Sequence, residues 1–204
     1  MGGRINCLNY FLYFNMKIGL YFGSFNPIHI GHLIIAIHAL NTTLLDQVWF
    51  ILSPQNPHKN SSTLLNENHR LSLIKLAIEN ESKLKASNIE FKLPRPSYTI
   101  DTITYITEKY PSNEFAIIMG SDSFNNLPKW KNFELLIKNT NLYIYERPNF
   151  KIDNYINAKI YILNAPLLEI SSTHIREMIK KGKSIRYMVP DVVKEEIDNN
   201  NYYR

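Results

Sequence analysis

Residues 17–33 have the sequence KIGLYFGSFNPIHIGHL, and this stretch decides the fold of the chain. The apolar run at 18–22 ends at Gly23, the Asn26-Pro27 pair is a turn signal, and apolar residues resume after His32. This order predicts a buried strand, a tight loop and a helix. Such a loop presents free backbone N–H groups at the positive end of a helix, where a phosphate group binds favourably.

The two histidines of this loop lie three residues apart. His29 and His32 therefore project from one face at the start of the helix, and both can donate to one bound group. Gly23 and Gly31 have no Cβ, so the backbone can approach an anion closely. A surface pair and a pair of zinc ligands are the other interpretations. No third zinc ligand is near in the sequence, so the pattern favours phosphate binding.

The loop resembles the signature of a known superfamily. Its pattern over residues 23–32, Gly-x-Phe-Asn-Pro-x-His-x-Gly-His, is similar to that of the nucleotidyltransferases that share the His-x-Gly-His element with class I aminoacyl-tRNA synthetases. Within this superfamily the chain is most similar to the bacterial nicotinate-nucleotide adenylyltransferases, which usually carry Asp where this chain has Asn26. The resemblance implies transfer of AMP from ATP to nicotinate mononucleotide, giving nicotinate adenine dinucleotide and pyrophosphate in NAD biosynthesis.

The composition agrees with one ordinary globular domain. The chain has 204 residues, of which 45% are hydrophobic and 20% are charged. A formal charge of +5 suits an anionic ligand, but the basic residues are scattered, so we expect no nucleic-acid partner. Cys7 is the only cysteine, which excludes an internal disulfide and fits a reducing cytoplasm.

The N-terminal region contains an aromatic run at residues 10–14 that is too short to span a membrane. We therefore expect a cytoplasmic protein with no membrane partner. Residues 1–15 are expected to be an extension outside the fold, with residues 16–204 forming the nucleotidyltransferase domain. A homodimer stays an open alternative to a monomer.

Apolar runs and helical periodicities alternate along the rest of the chain. Strands are predicted at residues 18–22, 47–52, 88–93, 114–119, 142–145 and 160–163. Helices are predicted after His32 and at residues 64–80, 99–110, 132–137, 173–181 and 191–198. This alternation favours a single α/β domain with a Rossmann-like, doubly wound parallel sheet.

A second motif lies at residues 170–176, where three consecutive hydroxyl residues open a helix and Arg176 follows one turn later. One oxygen suffices for a helix cap, so the other hydroxyls and Arg176 can bind a phosphate group. An ordinary cap with a surface Arg is the alternative. The resemblance includes this motif, Ile-Ser-Ser-Thr-x-Ile-Arg, and implies that it binds the phosphates of ATP.

Two basic residues after the second strand have weaker support. A lysine at the end of a loop, such as Lys59 in Pro57-His58-Lys59, is usually solvated. The resemblance implies that this element faces the phosphates, and we extend the same hypothesis to Arg70 on the following helix.

The site for the second substrate is predicted around Trp130. Its indole, between Lys129 and Lys131, either stacks on a planar ring or anchors the core. The resemblance implies that Trp130 stacks on the pyridine ring and that backbone amides near Thr99 and at Lys131 hold the nicotinate carboxylate. Family members often carry an aromatic residue at the position of Lys131.

The predicted site has three sets of residues. The catalytic residues are His29, His32, Arg176 and Lys59. The residues predicted to bind ATP are Gly23, Ser24, Phe25, His29, His32, Gly120, Asp122, Ile170, Ser171, Ser172, Thr173 and Arg176, with Asp122 placed near the ribose by the resemblance. The residues predicted to bind nicotinate mononucleotide are Ser24, Lys59, Tyr98, Thr99, Trp130 and Lys131.

No side chain in the sequence is an obvious nucleophile with a paired base, so we expect direct attack of the mononucleotide phosphate on the α-phosphorus of ATP. Mg²⁺ is expected as a cofactor held mainly by ATP phosphates and water, with no metal site of the protein itself. The alternatives are a sister transferase that uses nicotinamide mononucleotide, pantetheine phosphate or flavin mononucleotide, a fragment of an aminoacyl-tRNA synthetase, and a non-catalytic nucleotide-binding or RNA-binding protein.

Overall fold

The structure, a computed structural model, describes residues 15–55, 64–153, 156–166 and 169–204. The predicted extension therefore lies outside the described residues, apart from Asn15. The strands are β1 Lys17–Gly23, β2 Gln47–Leu52, β3 Leu84–Ser87, β4 Glu114–Gly120, β5 Asn141–Tyr145 and β6 Ile160–Leu163. The α-helices are α1 Ile30–Thr42, α2 Glu67–Ala77, α3 Thr99–Lys109, α4 Ser121–Asn125, α5 Phe133–Asn139, α6 Ser172–Lys180 and α7 Asp191–Asn199.

The strands form one parallel sheet in the order β3-β2-β1-β4-β5-β6. From β1 the chain builds the sheet outward through β2 to β3, and then returns to the other side of β1 to build β4, β5 and β6. The strand order thus reverses between β1 and β4, where Leu20 of β1 is in register with Ile117 of β4. In open sheets of this kind, ligands bind outside the carboxyl ends of the strands at such a reversal.

Both faces of the sheet are buried, as the apolar runs predict. In β1, Ile18 and Leu20 point into one hydrophobic layer, whereas Tyr21 points into the other. The first layer also contains residues of α3, α4 and α5, and the second contains residues of α1, α2, α6 and α7. Burying an Ile or Leu side chain completely contributes about 1.5–3 kcal/mol, so these two layers hold the strand ends in place.

One predicted strand is wrong. Residues 88–93 do not pair in the sheet; Ile89–Lys92 form a 3-10 turn, and the third strand is the preceding segment, β3. An alternation of apolar and polar residues over only four positions suits either structure, and the 3-10 turn buries Ile89 as a strand would be expected to. The segment directly after β4 is helical as well, since α4 begins at Ser121.

Within the described ranges, every helix is too short or too polar to cross a membrane.

Candidate active site

A cleft of about 730 Å³ opens at the carboxyl ends of the central strands. It brings together nearly all the residues that the sequence predicts. The residues from the predicted sets that line it are Gly23, Ser24, Phe25, His29, His32, Tyr98, Thr99, Gly120, Asp122, Trp130, Lys131, Ile170, Ser171, Ser172, Thr173 and Arg176. Lys59 and its neighbours Pro57 and His58 lie outside the described residues. The two motifs are therefore neighbours in space, although about 140 residues separate them.

The two histidines form a stacked pair at the start of α1. Their ring centroids are 3.7 Å apart, and the rings are inclined by 28°. The backbone N–H of His29 donates to Nδ1 of His32 at 3.3 Å. Because Nδ1 accepts this bond, a neutral His32 carries its proton on Nε2, an assignment that follows from the hydrogen bond. His32 is thus prepared to act as a hydrogen-bond donor through Nε2.

His29 is buried and uncharged at neutral pH. Its exposed fraction is 5%. Burial, followed by the charge of Arg147, lowers its pKa to about 4. Its Nδ1 has no hydrogen-bond partner within the part of the chain that the structure describes. Gly31 makes room for this ring, because a Cβ at position 31 would lie 3.1 Å from Nδ1 and Cε1 of His29. The motif glycine thus serves the packing of the histidine.

Arg70 does not have the predicted phosphate-facing role. Its exposed fraction is 1%, and its guanidinium donates to the carbonyl groups of Ser24 at 2.7 Å and Ser53 at 2.9 Å. Further bonds reach the carbonyls of Leu65 and Pro54. Burial lowers its pKa to about 10, so Arg70 remains charged at neutral pH. Arg70 therefore ties the loop after β1 to the loop after β2.

The hydroxyls of the second motif have different tasks. Ser171 caps α6 by accepting from the backbone N–H of His174 at 3.2 Å. Ser172 instead donates to the carbonyl of Pro27, in the loop of the first motif, at 2.9 Å. The ordinary-cap interpretation thus accounts for one hydroxyl of the three, and another fastens the loop of the first motif.

Arg176 makes the second connection between the motifs. Its Nη1 donates to the carbonyl of Asn26 at 2.8 Å, and its Nη2 lies 3.3 Å from Oγ1 of Thr173. The guanidinium lines the cleft beside α6, so its remaining N–H groups lie near the space between the two motifs. An arginine held in this way is positioned before any ligand arrives.

Sequence analysis missed a polar group at the reversal of strand order. Arg147, just beyond β5, forms an ion pair with Asp122, with Nε 3.2 Å from Oδ1, and donates to the hydroxyl of Tyr145 at 2.8 Å. The hydroxyl of Tyr21 lies 3.2 Å from that of Tyr145. Gly120 leaves space for the pair, since a Cβ there would lie 2.8 Å from Nε of Arg147. Arg147 lies just beyond the carboxyl end of β5, at the sheet edge where ligands bind in such folds, so its place in the chain is a signal that could have found it.

A second missed residue is Glu90 in the 3-10 turn. It lines the cleft with an exposed fraction of 2%, and its carboxylate accepts from Ser97 at 2.6 Å and from Thr102 at 2.9 Å. Burial raises the pKa of Glu90, and the hydrogen bonds from these hydroxyls oppose that rise. Glu90 thereby fixes the segment that enters α3. No spacing in the sequence signals this role, because the partners are brought together only by the turn.

The cleft is also lined by a second group of predicted residues, Tyr98, Thr99, Trp130 and Lys131. Trp130 is half-buried: it packs against the hydrophobic layer and also lines the cleft, so both interpretations of the sequence hold in part. The side chain of Tyr98 provides no cap for α3. Lys131 lies with its Nζ 2.9 Å from Oδ2 of Asp101 and 4.8 Å from the ring centroid of Tyr98.

Comparison with known proteins identifies the family. Residues 20–178 match the cytidylyltransferase-like family. The chain is 53% identical over 192 residues to the "probable nicotinate-nucleotide adenylyltransferase" of Flavobacterium psychrophilum, an alignment that covers 93% of this chain and 100% of the relative. The chain belongs to the nicotinate-nucleotide adenylyltransferase family. A relative with the same name from Bacteroides fragilis is 41% identical over 182 residues, covering 89% of this chain and 90% of that protein.

A solved structure of the family has the same fold. It is the nicotinic acid mononucleotide adenylyltransferase of Plasmodium falciparum complexed with NaAD. Its TM-score is 0.80 with 25% sequence identity, and the match covers 93% of this chain and 98% of that chain. The predicted family and the Rossmann-like parallel sheet are thereby confirmed.

Proposed function

We propose that this protein transfers AMP from ATP to nicotinate mononucleotide, giving nicotinate adenine dinucleotide and pyrophosphate. The observation that carries the proposal is a single cleft with two unlike ends. Donors from two loops and α6 surround one end, and a half-buried indole lies beside the start of α3 at the other. We call them the phosphate end, lined by residues 23–32 and 170–176, and the pyridine end, lined by residues 97–100 and 129–131. A dinucleotide product needs both.

The proposed reaction is a direct displacement. A phosphate oxygen of the mononucleotide forms a bond to the α-phosphorus of ATP, while the bond from that phosphorus to the bridging oxygen of pyrophosphate breaks. Negative charge therefore develops on the departing pyrophosphate. The protein accelerates such a step by aligning the two anions and by stabilising this charge. No covalent intermediate with the protein is required.

The phosphate end supports this step through groups that are already in place. His32 would donate from Nε2 to an ATP phosphate, and the stacked neutral His29 would support it without a competing charge. Arg176, held by the carbonyl of Asn26, would stabilise the leaving pyrophosphate. Lys59 is proposed to assist Arg176. Preorganised donors of this kind stabilise a developing charge without moving during the reaction.

Mg²⁺ is proposed to enter with ATP as part of the substrate. Within the described ranges, no group of three His, Cys, Asp or Glu side chains is close enough to hold a metal ion. Asp122 is engaged with Arg147, and we propose that it faces the ribose. The ion would be held by phosphate oxygens and water, and it would neutralise charge on the triphosphate.

The pyridine end supports recognition of the acceptor. Trp130 offers an indole face for stacking on the ring. The first turn of α3 begins at Thr99 without a cap from Tyr98, so its backbone N–H groups suit a carboxylate. The backbone amide of Lys131 is the second proposed donor to that carboxylate.

The decisive experiment measures pyrophosphate release from ATP and Mg²⁺ with equal concentrations of nicotinate mononucleotide, nicotinamide mononucleotide and pantetheine phosphate. We expect rapid release with the nicotinate compound and much slower release with the others. Equal rates with the acid and the amide would retain the transferase and remove the acid preference. Release with pantetheine phosphate alone, or with none of the three, would refute the proposed function.

A further inference from the structure

The side chain of Lys131 is placed for a task that its backbone amide does not perform. Its ammonium contacts both carboxylate oxygens of Asp101, at 3.1 and 2.9 Å, and lies over the ring of Tyr98. Asp101 belongs to the first turn of α3, two residues after Thr99. The ammonium is therefore held within one helical turn of the amide proposed to receive the nicotinate carboxylate.

We propose that Lys131 is a specificity-determining residue whose ammonium exchanges the carboxylate of Asp101 for the carboxylate on the pyridine ring of the acceptor. This inference rests on the proposed function and adds a side-chain ligand to it. The exchange replaces one carboxylate by another, so the ammonium keeps an anionic partner throughout.

The exchange is favourable because the existing ion pair is weak. The side chains of Lys131 and Asp101 are 44% and 43% exposed, so water screens their attraction. When the pyridine ring stacks on Trp130, its carboxylate enters a site partly shielded from water, where the same attraction is stronger. Lysine suits the exchange, since its ammonium carries three donors on a flexible stem.

The same pair disfavours the amide form of the acceptor. A carboxamide carries no charge with which to replace Asp101, so Lys131 remains paired and contributes nothing to binding. The pyridinium ring of the amide compound is positively charged, and it has no carboxylate to offset that charge beside the Lys131 ammonium. Lys131 therefore increases the difference in affinity between acid and amide, which is how a charge improves specificity.

The first test compares wild type with Lys131→Gln, which keeps most of the stem but removes the charge. We expect KM for nicotinate mononucleotide to rise about tenfold, as for loss of one charge-assisted contact, with KM for the amide changed less than about twofold. KM for ATP should not change. The matched control is Lys194→Gln, because Lys194 also forms an exposed ion pair, with Asp198 on α7, outside the cleft. The inference would be overturned if the ratio of KM for the amide to KM for the acid were the same in Lys131→Gln as in wild type.

The second test removes the competitor. Asp101→Asn releases the ammonium, so we expect KM for the acid to fall about twofold to threefold, the scale of an exposed ion pair. When Asp101→Asn is added to Lys131→Gln, KM for the acid should not fall, since no ammonium remains to be released. If Asp101→Asn lowered KM for the acid equally in wild type and in Lys131→Gln, Asp101 would only repel the acceptor, and the proposed exchange would be overturned.

The outcome also separates this inference from the proposed function. Absence of pyrophosphate release with any mononucleotide refutes the proposed function. An active enzyme that prefers the acid equally well without the Lys131 charge leaves that function intact and refutes the exchange alone.

Discussion

The phosphate end and the pyridine end of the cleft are held together in different ways. At the phosphate end, backbone carbonyls are fastened by side chains, with the buried Arg70 joining two loops and Ser172 and Arg176 joining the two motifs. At the pyridine end, the charged contact between Lys131 and Asp101 is exposed. Rigid donors suit the end where charge develops, because they need no reorganisation, whereas an exchangeable pair suits the end where an acceptor is chosen.

The largest effect should come from His32, the proposed phosphate donor at the phosphate end. His32→Ala removes one preorganised donor to the phosphates, so we expect turnover to fall by about two to three orders of magnitude. Steady-state pyrophosphate release measures it, and the circular dichroism spectrum should match that of wild type. A folded variant with nearly normal turnover would remove His32 from the chemistry.

The side-chain bonds that hold the loops of the phosphate end together can be tested separately from the reaction. Arg70→Met leaves several carbonyl groups without their donor, and we expect the free energy of unfolding to fall by about 3 kcal/mol, the scale of breaking a buried charged network. Urea denaturation measures the change.

The matched control for Arg70 is Arg95→Met. Arg95 also pairs with a neighbour, Glu67 at 2.6 Å, but its side chain is 44% exposed. Its loss should cost less than about 1 kcal/mol. Equal losses in the two variants would show that burial of the Arg70 network adds no stability, and would break the comparison between the two ends.

The pyridine end should show its effect in binding. Trp130→Ala removes the stacking surface, so we expect KM for nicotinate mononucleotide to rise about tenfold while KM for ATP stays within about twofold. Trp130→Phe retains an aromatic face and should recover most of the affinity. An unchanged KM in the alanine variant, with lowered stability, would show that the indole only anchors the core.

The difference between the two ends also explains what could be predicted from sequence. Alternating apolar runs and helical periodicities predict a doubly wound parallel sheet, and the carboxyl ends of its strands bring residues 23–32 and 170–176 to one edge. The histidines are recognisable because their spacing and flanking glycines form a local pattern. The phosphate-facing role predicted for Arg70 is wrong. A charge on a helix is usually solvated, and the burial of this one depends on carbonyls from three separate segments.

Contacts made only by tertiary packing were likewise not predictable. Glu90 was placed in a strand, and its partners Ser97 and Thr102 come near only because the chain turns there. Arg147 was overlooked although its position after β5 follows the rule applied to the other strands. Its partner Asp122 was predicted, but the ion pair depends on the space left by Gly120.

The smallest predicted effect concerns pH and the buried His29. Its pKa is lowered from 6.5 to about 4, so the unfolded chain binds a proton at a higher pH than the folded protein does. Stability contributed by the neutral ring is therefore present above pH 6.5 and is lost as the pH falls from 6.5 towards 4. Between pH 7.5 and 5.5, wild type should lose about 1 kcal/mol more unfolding free energy than His29→Gln, which has no titrating ring. Urea denaturation at both pH values measures this difference, and parallel losses would mean that His29 titrates normally and that the stacked pair is open to water.

Saturating ATP should reduce the difference, because a bound anion favours protonation of His29 and so raises its pKa. His29→Gln leaves the other five histidines of the chain unchanged.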